Sequence, residues 1–193
     1  MIATYLTKSR IMLKNFNTTI TTTLFFLAAV IFKITPHLPN FSPELVFAVF
    51  VGCRYNKLTQ ALLILALLVS CDVLYCATSP FQAFGSWTLF TYSGLLALGL
   101  AANSLKLKPG QWRFTGICLL SSLLFWTWTN FGTWLASPLY PHTLQGITLC
   151  FSLALPFLGF SLASAATWSV AIKLIQGHKT LFAKHKPLKN NLM

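Results

Sequence analysis

The stretch FTGICLLSSLLFWTWTNFGTW, residues 114–134, contains no charged residue and decides the class of this protein. It is long enough to cross the hydrocarbon core of a bilayer as one helix, which takes about 20 apolar residues. The whole chain of 193 residues has the same character, because 55% of its residues are hydrophobic and 8% are charged. Soluble domains have about 25% charged residues. A water-soluble globule is therefore excluded, and we expect an all-α membrane protein.

Five further apolar runs lie on either side of this stretch. They cover residues 18–34, 42–53, 58–75, 87–105 and 146–172. The run 42–53 is too short for a spanning helix, so hydropathy alone leaves five or six crossings open. We divide the chain into a basic cytoplasmic amino terminus (1–17), a six-helix transmembrane domain (18–175) and a basic cytoplasmic tail (176–193).

The distribution of basic residues favours six crossings. The chain has 14 Lys and Arg against two acids, Glu44 and Asp72. All but one of the 14 lie in the amino terminus, two alternate loops and the tail, namely Lys8, Arg10, Lys14, Arg54, Lys57, Lys106, Lys108, Arg113, Lys173, Lys179, Lys184, Lys186 and Lys189. Cytoplasmic loops have an excess of Lys and Arg, so we expect six transmembrane helices with both termini cytoplasmic. Lys33 is the exception, and we place it at the outer rim, where its long side chain can reach water.

Several classes of function are disfavoured by what the sequence lacks. Nucleic-acid binders present basic side chains on one solvated face, whereas here these side chains separate apolar runs. The five cysteines form no CxxC pair, and no histidine lies in any apolar run. We therefore expect neither a metal site nor haem or another cofactor. No combination of nucleophile and base typical of a membrane enzyme is present, so we expect no enzymatic activity.

Polar residues within apolar runs are costly in a bilayer and are therefore candidates for function. Asp72 is the only acid inside a long run, about one turn from the outer end of the third helix. Asn130 lies at matching depth on the fifth helix, and a spacing of four places Trp126 on the same face. We expect these three residues to share one solute-binding cavity. The alternatives are an ion pair between Asp72 and Lys33 and, for Asn130, one interhelical hydrogen bond beside an aromatic belt.

Two further candidates lie near the outer ends of the helices. Glu44 is expected in the first turn of the second helix, where the helix dipole stabilises a negative charge by about 0.3 to 1 kcal/mol. Its role is therefore either structural or in solute binding. His142 lies in an outer loop and can contact an arriving solute, although a lone loop histidine is more often only solvated.

Five motifs at the outer ends of the helices resemble those of one family. They are Pro39-Asn40-Phe41-Ser42-Pro43, the aspartate that ends the third helix, Thr129-Asn130-Phe131-Gly132, Tyr140-Pro141 with Thr143 and Gly146, and Pro156-Phe157. In this order they resemble an uncharacterised family of small bacterial membrane proteins, domain of unknown function 6580, described as transport proteins. The likeness covers about residues 20–172. It adds Asn40 and Tyr140 to the candidate binding residues and implies the bacterial inner membrane as the location.

That family is in turn similar to the substrate-binding S components of energy-coupling-factor transporters. The similarity implies six helices, a solute pocket near the outer face, and a transmembrane coupling subunit and ATPases as partners. S components commonly contact the coupling subunit through an A-x-x-x-A stripe on the first helix, whereas this chain has the adjacent Ala28 and Ala29. A solitary carrier is therefore an alternative to a transporter subunit.

We expect a multi-pass membrane protein that binds a small solute, either as the specificity subunit of a transporter or as a solitary carrier. The rival interpretation is a structural or assembly factor that holds other membrane subunits. It depends on small residues that recur every four positions on the fourth and sixth helices and let other helices approach closely. These residues are Ser93, Ala97, Ala101, Ser161, Ala165 and Ser169.

Overall fold

The computed structural model describes residues 2–79, 84–105 and 107–184, with side chains described for residues 18–176 of these ranges. Over these residues the chain forms six helices and no strand, which confirms the all-α prediction. The helices are α1 (Ile2–Ile34), α2 (Glu44–Gly52), α3 (Lys57–Thr78), α4 (Thr88–Ser104), α5 (Trp112–Ala136) and α6 (Leu144–Lys184). Each predicted apolar run corresponds to one helix. Lys106 and residues 185–193, on which part of the charge argument rests, lie outside the described ranges.

The expectation of six membrane crossings is met only in part. By length and composition, two of the described helical segments could cross a membrane, Lys57–Thr78 and Leu144–Gln176, and Thr18–Ile34 is a shorter apolar segment. Helices α2 and α4 have only 9 and 17 residues. Helix α5 has 25 residues, but its second half alternates Trp with Thr and Asn, which lowers its hydropathy.

Helix α2 lies at the centre of the bundle. It contacts all five other helices, and its residues Val46 to Gly52 are buried. The sequence explains this position, because after Glu44 every residue of α2 is apolar, and a helix that is apolar on all sides is buried. Phe47 and Phe50 pack against the ring of Phe25 on α1, with ring centroids 6.0 and 6.3 Å apart. At about 1.5 Å per residue, α2 is only about 14 Å long.

The first four helices alternate in direction. We call the end of the bundle near Lys33 the upper end and the end near Tyr55 the lower end. Lys33 of α1 faces Glu44 at the start of α2, whereas the Thr22 hydroxyl, earlier in α1, lies 2.8 Å from the Tyr55 hydroxyl beyond the end of α2. Helix α3 returns upward, and α4 descends until the Asn103 amide donates to the Tyr55 carbonyl at 2.8 Å.

The last two helices continue the alternation. Helix α5 rises and α6 descends, since Trp126 of α5 bonds to Ala154 of α6 and the earlier Ser122 bonds to the later Ser161. At the lower end, the Arg54 guanidinium donates to the Gln176 side-chain oxygen at 3.1 Å. The start of α1 and the end of α6 therefore lie at the same end of the bundle.

Glycines bring α2 and α4 into close contact. A Cβ atom built on Gly52 would collide with the carbonyl oxygen of Gly99, and one on Gly99 would lie 3.3 Å from the Ala48 carbonyl oxygen of α2 and 2.6 Å from the Ile64 side chain of α3. The two backbones can approach this closely only without side chains at both positions. This crossing fixes the height of α2 in the bundle and hence the position of Glu44 at its upper end.

Candidate solute site

A cavity of about 260 Å³ lies in the upper half of the bundle, between α1, α2, α4, α5 and α6. Sites for drug-sized ligands have volumes of roughly 300 to 1,000 Å³, so this cavity suits a small solute. Its wall combines charged, hydroxyl-bearing and aromatic residues with a few aliphatic ones. The lining residues are Lys33, Asn40, Ser42, Glu44, Leu45, Val46, Thr91, Leu95, Ser122, Phe125, Trp126, Thr129, Ser161, Ser164 and Ala165.

Lys33 brings together both acidic residues of the chain. Its ammonium nitrogen lies 3.8 Å from Glu44 Oε1 and 3.8 Å from Asp72 Oδ1. The same nitrogen lies 5.7 Å from the centre of the Tyr75 ring, within the range of a cation–π contact. The Lys33 side chain is 29% exposed, and those of Glu44 and Asp72 are 15% and 14% exposed. Three charged groups therefore share one partly buried cluster, which we call the Lys33 cluster.

The two carboxylates of the Lys33 cluster have different surroundings. Asp72 Oδ2 accepts a hydrogen bond of 2.8 Å from the Tyr92 hydroxyl, so Asp72 has two partners. Glu44 Oε1 is buried and has no hydrogen-bond partner among the described residues. Glu44 is the first residue of α2, where the helix dipole favours its charge. Glu44 lines the cavity, whereas Asp72 lies behind Lys33 and does not.

Most hydroxyl groups of the cavity wall donate a hydrogen bond to the protein backbone. Five of them donate their proton to a backbone carbonyl, so the oxygen lone pairs stay available as acceptors. The bonds run from Thr91 to Trp87, from Ser122 to Ser161, from Thr129 to Phe125, from Ser161 to Phe157 and from Ser164 to Ser42. The bond from Ser164 to Ser42 has a length of 2.7 Å and ties α6 to the segment before α2.

Aromatic side chains of α5 form one side of the cavity. Trp126 and Phe125 both line it. The indole nitrogen of Trp126 donates to the Ala154 carbonyl of α6 at 3.0 Å, and the indole packs edge-on against Phe151 with centroids 5.2 Å apart. Trp126 is therefore held in place by α6, and its indole proton is already in use.

Asn40 lines the cavity from the turn between α1 and α2. Its backbone φ is 58°, in the left-handed region that Asn tolerates better than most residues. The turn is closed by a bond of 3.0 Å from the Phe41 amide to the Leu38 carbonyl. The asparagine thus serves the turn as well as the cavity wall.

The seven candidate residues from the sequence occupy three places. Glu44, Trp126 and Asn40 line the cavity, and Asp72 contacts it through Lys33. Asn130 does not line it, because its amide donates to the Trp126 carbonyl of its own helix at 2.8 Å. Of Asp72, Asn130 and Trp126, which were expected to share one cavity, only Trp126 lines it.

Tyr140 and His142 lie at a separate depression near the loop between α5 and α6. The His142 ring packs edge-on against Trp134, with centroids 5.5 Å apart, and the Trp134 indole donates to the Pro141 carbonyl at 3.0 Å. These contacts order the loop. They do not bring Tyr140 or His142 to the cavity wall.

Sequence reasoning named Lys33 only as the alternative ion-pair partner of Asp72, a pair that the structure contains, and it missed the contact of Lys33 with Glu44 and the serine and threonine hydroxyls. A signal for Lys33 was present, because it is the one basic residue that does not follow the alternation of basic loops. Its long side chain suggested a position at the rim, whereas in the fold it turns toward the two acids. The hydroxyls gave no signal, since Ser and Thr are common in apolar helices and only the packing decides which of them face a cavity.

Comparison with known proteins identifies the family of this chain. No curated protein and no solved structure matches the chain. Residues 13–185, which include all of the site, match the family of unknown function DUF6580. This span covers well over half of the sequence, and the chain therefore belongs to the DUF6580 family.

Proposed function

We propose that this protein binds a small solute in the cavity beside the Lys33 cluster, as an integral protein of the bacterial inner membrane. Six crossings with both termini in the cytoplasm would place the cavity near the outer face. The protein would act as the specificity subunit of a transporter, similar to an S component, or as a solitary carrier. The observation that supports this most is the convergence of both acidic residues and Lys33 at a cavity in an otherwise apolar bundle.

The cost of charge in an apolar bundle supports a functional role for the cluster. Charged side chains in a membrane are expensive and usually face a cavity or each other. Of the chain's two acids, neither lies on the outside of the bundle. A purely structural ion pair would need one acid and one base, whereas this cluster has two acids and borders 260 Å³ of free space.

The arrangement of helices is compatible with six crossings despite the short α2. A non-helical backbone is tolerated at membrane depth where protein surrounds it. The other five helices surround α2, so the segments on either side of it are shielded. The alternation of helix directions agrees with the alternation of basic loops in the sequence.

A structural or assembly role has one supporting observation of its own. Ala97 and Ala101 lie one turn apart on an exposed side of α4. By contrast, Ala165 and Ser169 of the second small-residue stripe are buried inside the bundle. The exposed pair could receive a helix of another subunit. Co-purification of coupling and ATPase subunits would favour the transport role, and other membrane subunits would favour assembly.

The test is a search for a retained solute. The full-length protein is purified in lipid nanodiscs and denatured, and the released small molecules are identified by unbiased mass spectrometry. An unrelated polytopic membrane protein purified in the same way is the control. We expect at least one small molecule that is enriched over the control in amounts comparable to the protein. A folded protein that releases nothing beyond the control would contradict the proposal.

A further inference from the structure

The residues at the cavity have a net negative charge. Lys33 has one positive charge, and Glu44 and Asp72 have one negative charge each. None of the other residues that line the cavity is charged. Lys33 lies 3.8 Å from each carboxylate, so its single positive charge is shared between the two, and Asp72 also accepts a hydrogen bond from Tyr92. The carboxylate of Glu44 is thus left without a full counter-charge on the cavity side.

One oxygen of the Glu44 carboxylate, Oε1, also lacks a hydrogen-bond donor. This oxygen has less than 1 Å² of exposed surface and no hydrogen-bond partner among the described residues, and the nearest cation, Lys33, is 3.8 Å away. A buried carboxylate oxygen without a donor is costly. A ligand cation beside the accessible part of the Glu44 side chain, which is 15% exposed, would supply positive charge there and offset that cost.

The rest of the wall is rich in acceptors. The five hydroxyls that donate to backbone carbonyls can only accept from a ligand in this arrangement. The indole proton of Trp126 is engaged by Ala154 and is not offered to the cavity. A solute with several N–H donors would satisfy these hydroxyls, whereas a carboxylate or phosphate would find its donors among the lining residues only at Lys33, Asn40 and Ser42, beside a net negative charge.

Aromatic faces favour the same ligand. Trp126 and Phe125 line the cavity, and the face of an aromatic ring, of Trp most of all, attracts cations. The attraction is stronger where water is excluded. The aromatic rings and the acceptor groups of the wall are therefore both compatible with a positively charged solute.

We propose that the solute is a small organic cation with N–H donors, a protonated amine or amidine, whose charged group lies at Glu44. This inference rests on the proposed solute-binding function. It identifies the chemical class of the solute and makes Glu44 the residue that selects for it.

The test uses four probes of similar shape on the full-length protein in nanodiscs. They are phenethylamine, 2-phenylethanol, phenylacetate and trimethyl(phenethyl)ammonium, and binding is measured by isothermal titration calorimetry. We expect phenethylamine to bind at least about tenfold more tightly than each of the others, because only it combines charge with N–H donors to a carboxylate. Equal or tighter binding of the alcohol or the carboxylate, or no binding of phenethylamine, would overturn the inference.

Two variants test whether Glu44 is the residue that selects for the cation. We expect Glu44→Gln to weaken phenethylamine binding by about tenfold or more, since a hydrogen bond to a charged group is lost. Lys57→Gln changes the charge by one unit at the exposed start of α3 and is expected to leave the affinity unchanged. Unchanged affinity in Glu44→Gln would contradict the role of Glu44. The probe series on the unmodified protein keeps its meaning even if this variant does not fold.

Failure of this inference is distinguishable from failure of the proposed function. If the mass-spectrometric search finds a retained neutral or anionic solute, the cation inference is wrong and the binding function stands. If the search finds nothing and no probe binds, both are wrong.

Discussion

At the scale of single residues, Lys33 is the cation that both acidic residues of the chain share. Without its ammonium group, the carboxylates of Glu44 and Asp72 would lose the cation that they share, although Asp72 would keep its hydrogen bond from the Tyr92 hydroxyl. Removal of one partner of a buried ion pair leaves an uncompensated charge, which costs more than the pair itself contributes. Asp72 and Glu44 therefore depend on Lys33 whether or not a solute is bound.

We predict that Lys33→Gln lowers the free energy of unfolding by about 1 to 3 kcal/mol, because the cluster is largely buried. The control Lys57→Gln removes an exposed lysine from the lower end and is expected to stay within about 0.5 kcal/mol of the unmodified protein. Denaturant unfolding in detergent, followed by tryptophan fluorescence, measures both. Equal stability of the two variants would show that the ion pairs of Lys33 are not needed.

The candidate residues show which parts of a site a sequence can predict. Asp72 and Glu44 stood out because acids are rare in apolar runs, and both are in the cluster. Asn130 stood out for the same reason, yet its amide is satisfied by the carbonyl one turn earlier on its own helix. Whether a polar side chain bonds within its helix or turns to a cavity depends on rotamers and neighbouring helices, and a single sequence does not contain these.

At the scale of the elements, the crossing of α2 and α4 determines where the site forms. Gly52→Ala would force a methyl group against the Gly99 carbonyl, which is part of the backbone and cannot turn away. We predict a loss of about 1 to 3 kcal/mol, as is typical of overpacking. The melting temperature of purified protein, with and without a retained solute, is the measurement.

The matched control for this crossing is Gly116→Ala on α5. A Cβ atom at Gly116 would meet nothing within 4 Å, and alanine favours a helix over glycine by up to about 1 kcal/mol. We expect this variant to be as stable as the unmodified protein or slightly more so. If both substitutions had the same effect, close packing of α2 on α4 would not explain the need for Gly52.

The helices themselves were predictable from hydropathy, but their ends were not. All six apolar runs correspond to helices, because an apolar segment must satisfy its own backbone hydrogen bonds when it is buried. Helices α1 and α6 continue past the apolar runs, from Ile2 and to Lys184, through basic and polar residues. Hydropathy does not detect such extensions, since helix formation there does not depend on burial.

At the scale of the whole molecule, the alternation of helix directions determines which loops share a side. We predict that single cysteines at Ser79 and Pro138 react with a membrane-impermeant thiol reagent on intact cells, in a background without the five native cysteines. A cysteine at Lys108 should react only after the membrane is made permeable. The physical reason is the excess of basic residues in loops on the cytoplasmic side. If the cysteine at position 79 were protected and the one at position 108 were labelled, the predicted orientation or the predicted number of crossings would be wrong.

A pair of tryptophan substitutions on α5 tests whether the solute lies in the cavity beside the Lys33 cluster. Thr129 lines the cavity, whereas Thr127, two residues earlier, is exposed on the outside of the bundle. The measurement is the amount of solute released per mole of purified protein, with melting temperatures as the check on folding. If the solute lies in the cavity, Thr129→Trp fills this space and loses most of the retained solute, while Thr127→Trp retains as much as the unmodified protein. Full retention by a folded Thr129→Trp would contradict this location.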